Sequence, residues 1–321
     1  MRAIVQDRYG PPDVLHIVEE ERPEPKDDEV LVRVAASTVT QTDTHIRAAH
    51  PVVWRLVAGV RKPRWPHLGV EYAGTVEKVG AAVTEFRAGD CVYGTQWFGI
   101  YAEYICVRER AAIAQMPANL SFEEAAAVPD GSSQGLDAVR TAKVEQGTRL
   151  VVYGASGSLG TAAVQLAKHL GAHVTGVTST RNVELVRSIG ADEVVDYTRE
   201  DFTKLGEPYD AIIDAVGKYA FYWGRAGLKP GGIYVETDFG PHKLHTLVSV
   251  VTTRFRGTKR LKFSGGKKRK ADLVFMKELI ERGEYKPVID RSYPMEQVAE
   301  AHRYVETWHK TGNVVLTISD G

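Results

Sequence analysis

Apolar and polar residues alternate through Glu29-Val30-Leu31-Val32-Arg33-Val34-Ala35, Glu71 to Val79 and Tyr101 to Val107. A period of two predicts half-buried strands. Gly and Asp punctuate them, as at Gly89-Asp90 ahead of Cys91-Val92-Tyr93-Gly94. Short strands between turns predict a β-rich, barrel-like or sandwich-like first third. The period changes near Ser121. Ser121-Phe122-Glu123-Glu124 places Ser at an N-cap and Glu three positions on, the pattern of a capping box. From Leu150 onward strands and helices alternate. Leu150 to Tyr153, His173 to Val177, Glu193 to Asp196, Ala211 to Asp214 and Gly232 to Val235 read as buried strands. Leu159 to Leu170 and Asn182 to Ile189 read as helices, the second stopped by Gly190. Ala271 to Glu281 reads as the last helix and Asn313 to Thr317 as a final strand. Repeated strand–helix units imply an α/β region with a parallel sheet covered on both faces.

Composition narrows the class. At about 150 residues per domain, 321 residues suggest two domains. Forty-one basic residues balance forty-one acidic ones, which argues against a protein built to coat nucleic acid. No run of about 18 apolar residues is present, so no integral membrane association is expected. Met1-Arg2-Ala3-Ile4-Val5 lacks a secretory apolar region. Cys91 and Cys106 are the two cysteines, too few for a disulfide framework or a four-cysteine zinc site. The expected compartment is the cytoplasm.

Tyr153-Gly154-Ala155-Ser156-Gly157-Ser158-Leu159-Gly160 joins a predicted strand to a predicted helix. In that context the glycine pattern reads as a dinucleotide loop. Gly157 lets backbone approach a pyrophosphate, Gly160 lets helix pack on strand, and the helix N-terminus favours phosphate. An NAD enzyme needs an acid about 20 residues past the loop to hold the ribose 2′-hydroxyl. Val177-Thr178-Ser179-Thr180-Arg181-Asn182 carries none. Arg181 and the hydroxyls of Thr178, Ser179 and Thr180 suit a 2′-phosphate instead, so the expected cofactor is NADP(H).

Gly10-Pro11-Pro12, Pro66-His67-Leu68-Gly69-Val70-Glu71-Tyr72-Ala73-Gly74, Phe86-Arg87-Ala88-Gly89-Asp90-Cys91-Val92-Tyr93-Gly94, the glycine loop, Thr178 to Asp192 and the tail from Lys286 through Gly312-Asn313-Val314-Val315 occur in this order. Together they resemble the medium-chain dehydrogenase/reductases, in their zinc-free quinone oxidoreductase and enone reductase branch. The resemblance implies a Rossmann doubly wound parallel sheet inserted in a GroES-like β-rich catalytic domain. It implies a GroES-like domain at 1–122, a Rossmann NADP-binding domain at 123–265, a C-terminal segment at 266–321 returning to the catalytic domain, an active site in the cleft and a homodimer. It also implies cofactor contacts from Ala155 through Gly160, from Val216, Gly217 and Asp238 at strand ends, from Tyr197 near the adenosine and from Asn313. For Tyr197 a packed surface aromatic is the competing reading.

Against the zinc members of this family, Thr40 occupies the usual cysteine ligand and Val70 the usual histidine ligand. Neither binds Zn²⁺ well, so no metal is expected, and Glu71 is expected to be structural. Without a Lewis acid, quinones and α,β-unsaturated carbonyls are the favoured acceptors. Thr40, Asp43, Tyr93 and Tyr101 are the catalytic candidates: Thr40 as a donor to an enolate oxygen, Asp43 as a loop organiser or proton carrier, the tyrosines as proton donors, stacking surfaces or packed residues. Two stretches fit less simply. Ala48 to Trp65, with Trp54, Leu56, Val57 and Val60, reads as a roof over flat apolar substrates or as a packed helix. Arg254 to Lys270 carries nine basic residues and no acid, and reads as a solvated loop or as a contact for nucleic acid or membrane. Two alternatives to the reductase stay open: an NADP-dependent alcohol or carbonyl dehydrogenase, and a non-catalytic NADPH-binding protein acting through that basic stretch.

Overall fold

The computed structural model describes residues 1–50, 55–217, 221–238, 253 and 258–319. In chain order its strands are β1 (Arg2–Gln6), β2 (Leu15–Glu19), β3 (Glu29–Val39), β4 (Glu71–Val79), β5 (Cys91–Thr95), β6 (Tyr104–Arg108), β7 (Ile113–Gln115), β8 (Arg149–Tyr153), β9 (His173–Thr178), β10 (Glu193–Asp196), β11 (Tyr209–Asp214), β12 (Leu228–Glu236), β13 (Arg260–Phe263), β14 (Ile289–Pro294) and β15 (Asn313–Thr317). They fold into two units, Met1–Asp130 with Lys268–Gly321, and Gly131–Lys267.

The first unit is built on a sheet ordered β14-β15-β3-β4-β5-β7, with β6 paired to the first half of β3. β1 and β2 form a separate antiparallel pair, bridged to the rest at Ala3–Ala102 and Val5–His67. β3 runs four residues beyond the alternating stretch, because its polar end finds partners. The Ser37 hydroxyl donates to the Glu71 carbonyl at 2.7 Å, and the Thr38 hydroxyl donates to the Glu71 carboxyl group. Tyr101 to Glu103 do not belong to β6. Ile4 N–H donates to Tyr101 O and Glu103 N–H to Arg2 O, so this segment serves β1 before the chain turns onto β3. Ile4, Val32, Leu68, Tyr72, Ile100 and Val314 are among the core residues.

The capping box forms: Glu124 N–H donates to Ser121 Oγ at 3.2 Å and Ser121 N–H to Glu124 Oε2 at 3.0 Å. The helix it starts, Phe122–Ala126, lies in the first unit. Its Glu123 accepts from Thr317 and Ser292. The chain passes into the second unit after Asp130.

Ala271 to Glu281 is not the last helix. Val298–Glu306 follows, burying Val298, Ala301, His302 and Val305. That is helical spacing, broken to the eye by a histidine at a core position.

The second unit is a six-stranded sheet ordered β10-β9-β8-β11-β12-β13, with every pairing parallel. Helix Ser158–His169 follows β8, as its apolar spacing predicts. Helix Pro129–Ala142 went unread because Gly131, Ser132, Ser133 and Gly135 interrupt its apolar face. Those small residues permit close packing: a Cβ on Gly135 would lie 3.1 Å from Ala162 Cβ. β13 falls inside the basic stretch read as a loop. Arg254 and Arg256 of that stretch, and Trp54 of the expected roof, lie outside the described residues. Among the described residues no helix is long and apolar enough to cross a membrane.

His302 makes a pH prediction. Its ring is fully buried and neither nitrogen has a hydrogen-bond partner. Burial, and then the Arg47 charge, hold its pKa well below the usual histidine value. The unfolded chain therefore binds a proton that the fold refuses. This contribution to stability is present above pH ~6.5 and is lost as pH falls below it. His302→Phe removes the effect. Measured by chemical denaturation, wild type should lose stability relative to the variant by up to about 1.4 kcal/mol per pH unit below that point. Parallel stability curves for the two proteins would contradict it.

Candidate functional site

The glycine loop lies between β8 and helix Ser158–His169, with Gly157 as the N-cap in extended conformation. Its two glycines do different work. A Cβ on Gly157 would meet nothing nearer than 3.7 Å, so the space above its backbone is open. A Cβ on Gly160 would lie 2.1 Å from the Gly154 carbonyl oxygen, so only glycine lets the helix approach the strand end. Gly154 has φ +80°, and Val216 closes on it. Ala155 and Leu159 are buried, while the first N–H groups of the helix, Ser158 included, are those that no helix satisfies internally. Open space over Gly157 at such an N-terminus fits a pyrophosphate.

Ser156 links this loop to the end of β9. Its Oγ accepts from Thr178 Oγ1 at 2.9 Å and from Asn182 Nδ2 at 3.0 Å. Thr178 and Asn182 are buried; Ser179 is half-buried and Arg181 exposed, in the short turn Thr180–Asn182. Asn182, read from sequence only as a helix start, is the tie that sequence missed. An acid does stand nearby, but on the next strand. Asp196, ending β10, accepts from Thr180 Oγ1 at 2.6 Å and from Thr198 Oγ1 at 2.7 Å, with Arg199 at 3.4 Å. The Thr180 hydrogen bond first of all holds its carboxyl below the usual range. Thr180 is thereby committed to Asp196. Tyr197 is exposed, its ring 6.4 Å from that of Tyr153.

Val216, Gly217 and Asp238 sit just past β11 and β12. The buried Asp214 carboxylate organises them, accepting from Val216 N–H at 3.0 Å and Gly217 N–H at 2.9 Å. Gly217 has φ +67°, and a Cβ there would lie 2.9 Å from Asp238 Cβ. The glycine loop, Thr178, Val216, Gly217 and Asp238 thus all follow the carboxyl ends of parallel strands, where open α/β sheets bind ligands.

In the first unit Thr40 and Asp43 form a capping box on helix Gln41–Ala48. Thr40 N–H and Oγ1–H both donate to Asp43 Oδ2, at 2.9 and 2.7 Å, and Gly69 N–H donates to Oδ1 at 3.0 Å. Asp43 is fully buried; desolvation outweighs these donors and pushes its carboxyl up to about 6. The pair braces the segment at Thr40 against the segment at Gly69. Tyr93 and Tyr101 are also fully buried. Their hydroxyls donate to Leu273 O at 2.6 Å and Thr38 O at 3.0 Å, and burial raises both above the ordinary tyrosine range. Both hydrogens are thereby given to backbone carbonyls inside the unit. Asn313 donates to Ala127 O at 3.0 Å and Val288 O at 3.1 Å.

A cluster that sequence reading left out surrounds Glu71. Its carboxyl group is buried, bonded by Thr38 Oγ1 and by Asp130 N–H at 2.6 Å. Desolvation first, then the Asp130 charge, push it up to about 8. Lys268 Nζ stands 3.7 Å from Asp130 Oδ1 and donates to Gln96 O at 2.9 Å. The Lys310 amine, buried although its residue is half-exposed overall, is pushed down to about 8 by desolvation. Thr40 and Val70 supply no metal donor set, and among the described residues no three His, Cys, Asp or Glu gather as one. Four lysines of the basic stretch, Lys268 among them, are engaged within the fold. Lys259 donates to Arg225 O, Lys262 to Thr141 O, and Lys270 to Glu109 O and the Glu85 carboxylate. In the expected roof Leu56 and Val60 are exposed, and Trp65 stacks on Phe98 at 4.9 Å.

Residues 26–118 match the alcohol dehydrogenase GroES-like domain and residues 189–316 the zinc-binding dehydrogenase domain. A chloroplastic NADPH-dependent alkenal/one oxidoreductase of Arabidopsis thaliana is 34% identical over 98% of this chain and 79% of its own. The quinone oxidoreductase of Coxiella burnetii superposes with TM-score 0.88 at 28% identity, covering 99% of both chains. An NAD-dependent alcohol dehydrogenase superposes with TM-score 0.87 at 28% identity, covering 99% of this chain and all of its own. The chain belongs to the medium-chain dehydrogenase/reductases, next to their quinone oxidoreductase and enone reductase members.

The two glycines should separate binding from folding. Gly157→Val fills the open space, and should weaken NADPH and NADP⁺ binding by at least about a hundredfold while the melting temperature holds. Gly160→Ala drives a methyl into backbone, and should lower the melting temperature itself. Calorimetric titration beside thermal melts reads both. Normal cofactor binding by Gly157→Val would displace the pyrophosphate from this loop.

Proposed function

We propose that this protein is an NADPH-dependent reductase of quinones and α,β-unsaturated carbonyls that works without zinc. One observation carries the reading: a dinucleotide loop whose neighbouring strand end offers Arg181 and hydroxyls, in a chain whose zinc-ligand positions hold Thr40 and Val70. Both named relatives that reduce such acceptors support it. The alcohol dehydrogenase alternative shares the fold but needs a Lewis acid to make an alkoxide. The internal engagement of Lys259, Lys262, Lys268 and Lys270 disfavours the basic-contact alternative.

The residues divide the work. Gly157 and the helix N-terminus at Ser158 hold the pyrophosphate. Ser156, buttressed by Thr178 and Asn182, fixes the loop against β9, and Arg181 with Ser179 faces the 2′-phosphate. Asp214 shapes Val216 and Gly217 to receive the nicotinamide, beside Asp238. When bound, NADPH supplies hydride. Thr40, Asp43, Tyr93 and Tyr101 are assigned to bracing the first unit, since each spends its polar hydrogen or carboxylate within it. We also propose a homodimer: β13 ends the parallel sheet, and no strand among the described residues pairs its outer side. Two free cysteines suit a reducing cytoplasm.

Arg181→Ala should raise the dissociation constant for NADPH by roughly ten- to a hundredfold, the loss of one charge-assisted bond of about 1.5–3 kcal/mol, and leave NADH nearly unchanged. Equal effects on both would remove Arg181 from the phosphate site. With deuterated NADPH, an enone should gain label at its β-carbon and a quinone should return as hydroquinone. Rapid oxidation of unactivated alcohols with neither acceptor reduced would favour the dehydrogenase.

A further inference from the structure

A single apolar side chain on a folded surface is ordinary, but several gathered on one face mark a contact. The first unit gathers them on the segment from Arg55 to Trp65 and on the neighbouring turn at Trp97-Phe98. We propose that this face is a peripheral seat for an anionic lipid leaflet. Leu56, Val60 and the indoles of Trp65 and Trp97 enter the headgroup layer, and the cations of the segment meet lipid phosphates.

The segment is pinned so that these groups face outward. Arg64 N–H donates to Ala58 O at 2.6 Å, closing the chain back on helix Arg55–Ala58, and Gly59, at φ +116°, makes the turn between them. Tyr9 Oη–H donates to Gly59 O at 2.9 Å, and the Arg55 guanidinium lies 5.2 Å from the centre of the Tyr9 ring. Ala58 and Pro63 are buried. Leu56 is 76% exposed and Val60 65%, so the fold takes the smaller apolar groups inward and leaves these larger ones in water. Trp65 stacks on Phe98 with ring centres 4.9 Å apart. That stack joins the segment to the next turn, where Trp97 is 61% exposed.

Charge selects the partner. Arg55, Arg61, Lys62 and Arg64 fall within the segment, and no Asp or Glu occurs from 48 to 70. Arg61, Lys62 and Arg64 are exposed. Arg64 stands 5.4 Å from the Trp65 ring centre and Lys268 4.9 Å from that of Trp97, so each indole carries a cation against its face. Indoles settle at the level of lipid headgroups, and basic side chains beside them are drawn to an anionic leaflet. Nucleic acid would satisfy the cations and stack on the indoles, yet it offers nothing to Leu56 and Val60; acyl chains do. No helix among the described residues can cross a bilayer, so the seating is on its surface. The proposal is independent of the reductase reading.

Flotation of the full chain with vesicles tests it. Phosphatidylcholine mixed with phosphatidylglycerol at about 7:3 should carry the protein upward, pure phosphatidylcholine should not, and raising salt from about 0.1 to about 0.5 M should release it. Leu56→Ser with Val60→Ser should weaken binding about tenfold. Arg61→Gln with Lys62→Gln should weaken it about 25-fold, each cation contributing roughly fivefold. These positions are exposed, so the melting temperature should hold. One arm needs no variant: brominated acyl chains in the mixed vesicles should quench part of the wild-type tryptophan emission, and Trp97→Phe should lose part of that quenching. Failure to float with the mixed vesicles overturns the proposal, as does flotation that both double variants keep. Flotation without quenching reduces the face to bare charge attraction and overturns the entry of its apolar groups. A self-association broken by the serine pair, with no flotation, gives the face to a second copy of the chain instead.

Discussion

A carboxyl group leaves water only if donors meet it or it gives up its charge. The first unit is arranged around that constraint at two places. Asp43 gathers the backbone of Thr40, the hydroxyl of Thr40 and the backbone of Gly69. Glu71 gathers the hydroxyl of Thr38 and the backbone of Asp130. Between them these two groups tie the end of β3, the following helix, the start of β4 and the start of helix Pro129–Ala142 into one assembly. Hydrogen bonds to two buried carboxyl groups thus hold together the segments that carry Thr40 and Val70.

How much was legible from sequence depended on where the causes lie. The helix and strands of the second unit follow local period, so β9 to β12 and Ser158–His169 were readable within a few residues. The capping box at Ser121 and the tight packing at Gly160 were readable because each rests on residues close in sequence. Helix Val298–Glu306 was missed because His302 sits where an apolar residue belongs, and helix Pro129–Ala142 because glycine and serine make its packing face. The Thr40–Asp43 pair was visible as two candidates but not as a cap. The Lys268–Asp130–Glu71 cluster was invisible: its members are far apart in sequence, and nothing local marks a lysine in a basic run as partly buried.

The cofactor contacts proposed for the second unit rest on geometry rather than on composition. Every residue assigned there follows the carboxyl end of a parallel strand, and two buried polar groups, Asp214 and Ser156, hold the intervening loops in shape. An exposed Arg181 can then act on a ligand whose position others fix. The acid on β10 is already bonded to threonines, and the proposed 2′-phosphate contact falls to the arginine.

The order of segments has a consequence for the birth of the protein on the ribosome. β15 pairs with Ala36–Val39 of β3, from Val314↔Val39 to Thr317↔Ala36. Those β3 backbone groups emerge early and must wait for the whole second unit to be made, on the order of tens of seconds at ~5–20 residues per second. The second unit is one continuous stretch and can fold as soon as it emerges. The first cannot close its sheet until the C-terminal strands arrive. During that interval the nascent chain carries an open strand edge, so the segment most in need of a chaperone's cover is the end of β3, not the second unit.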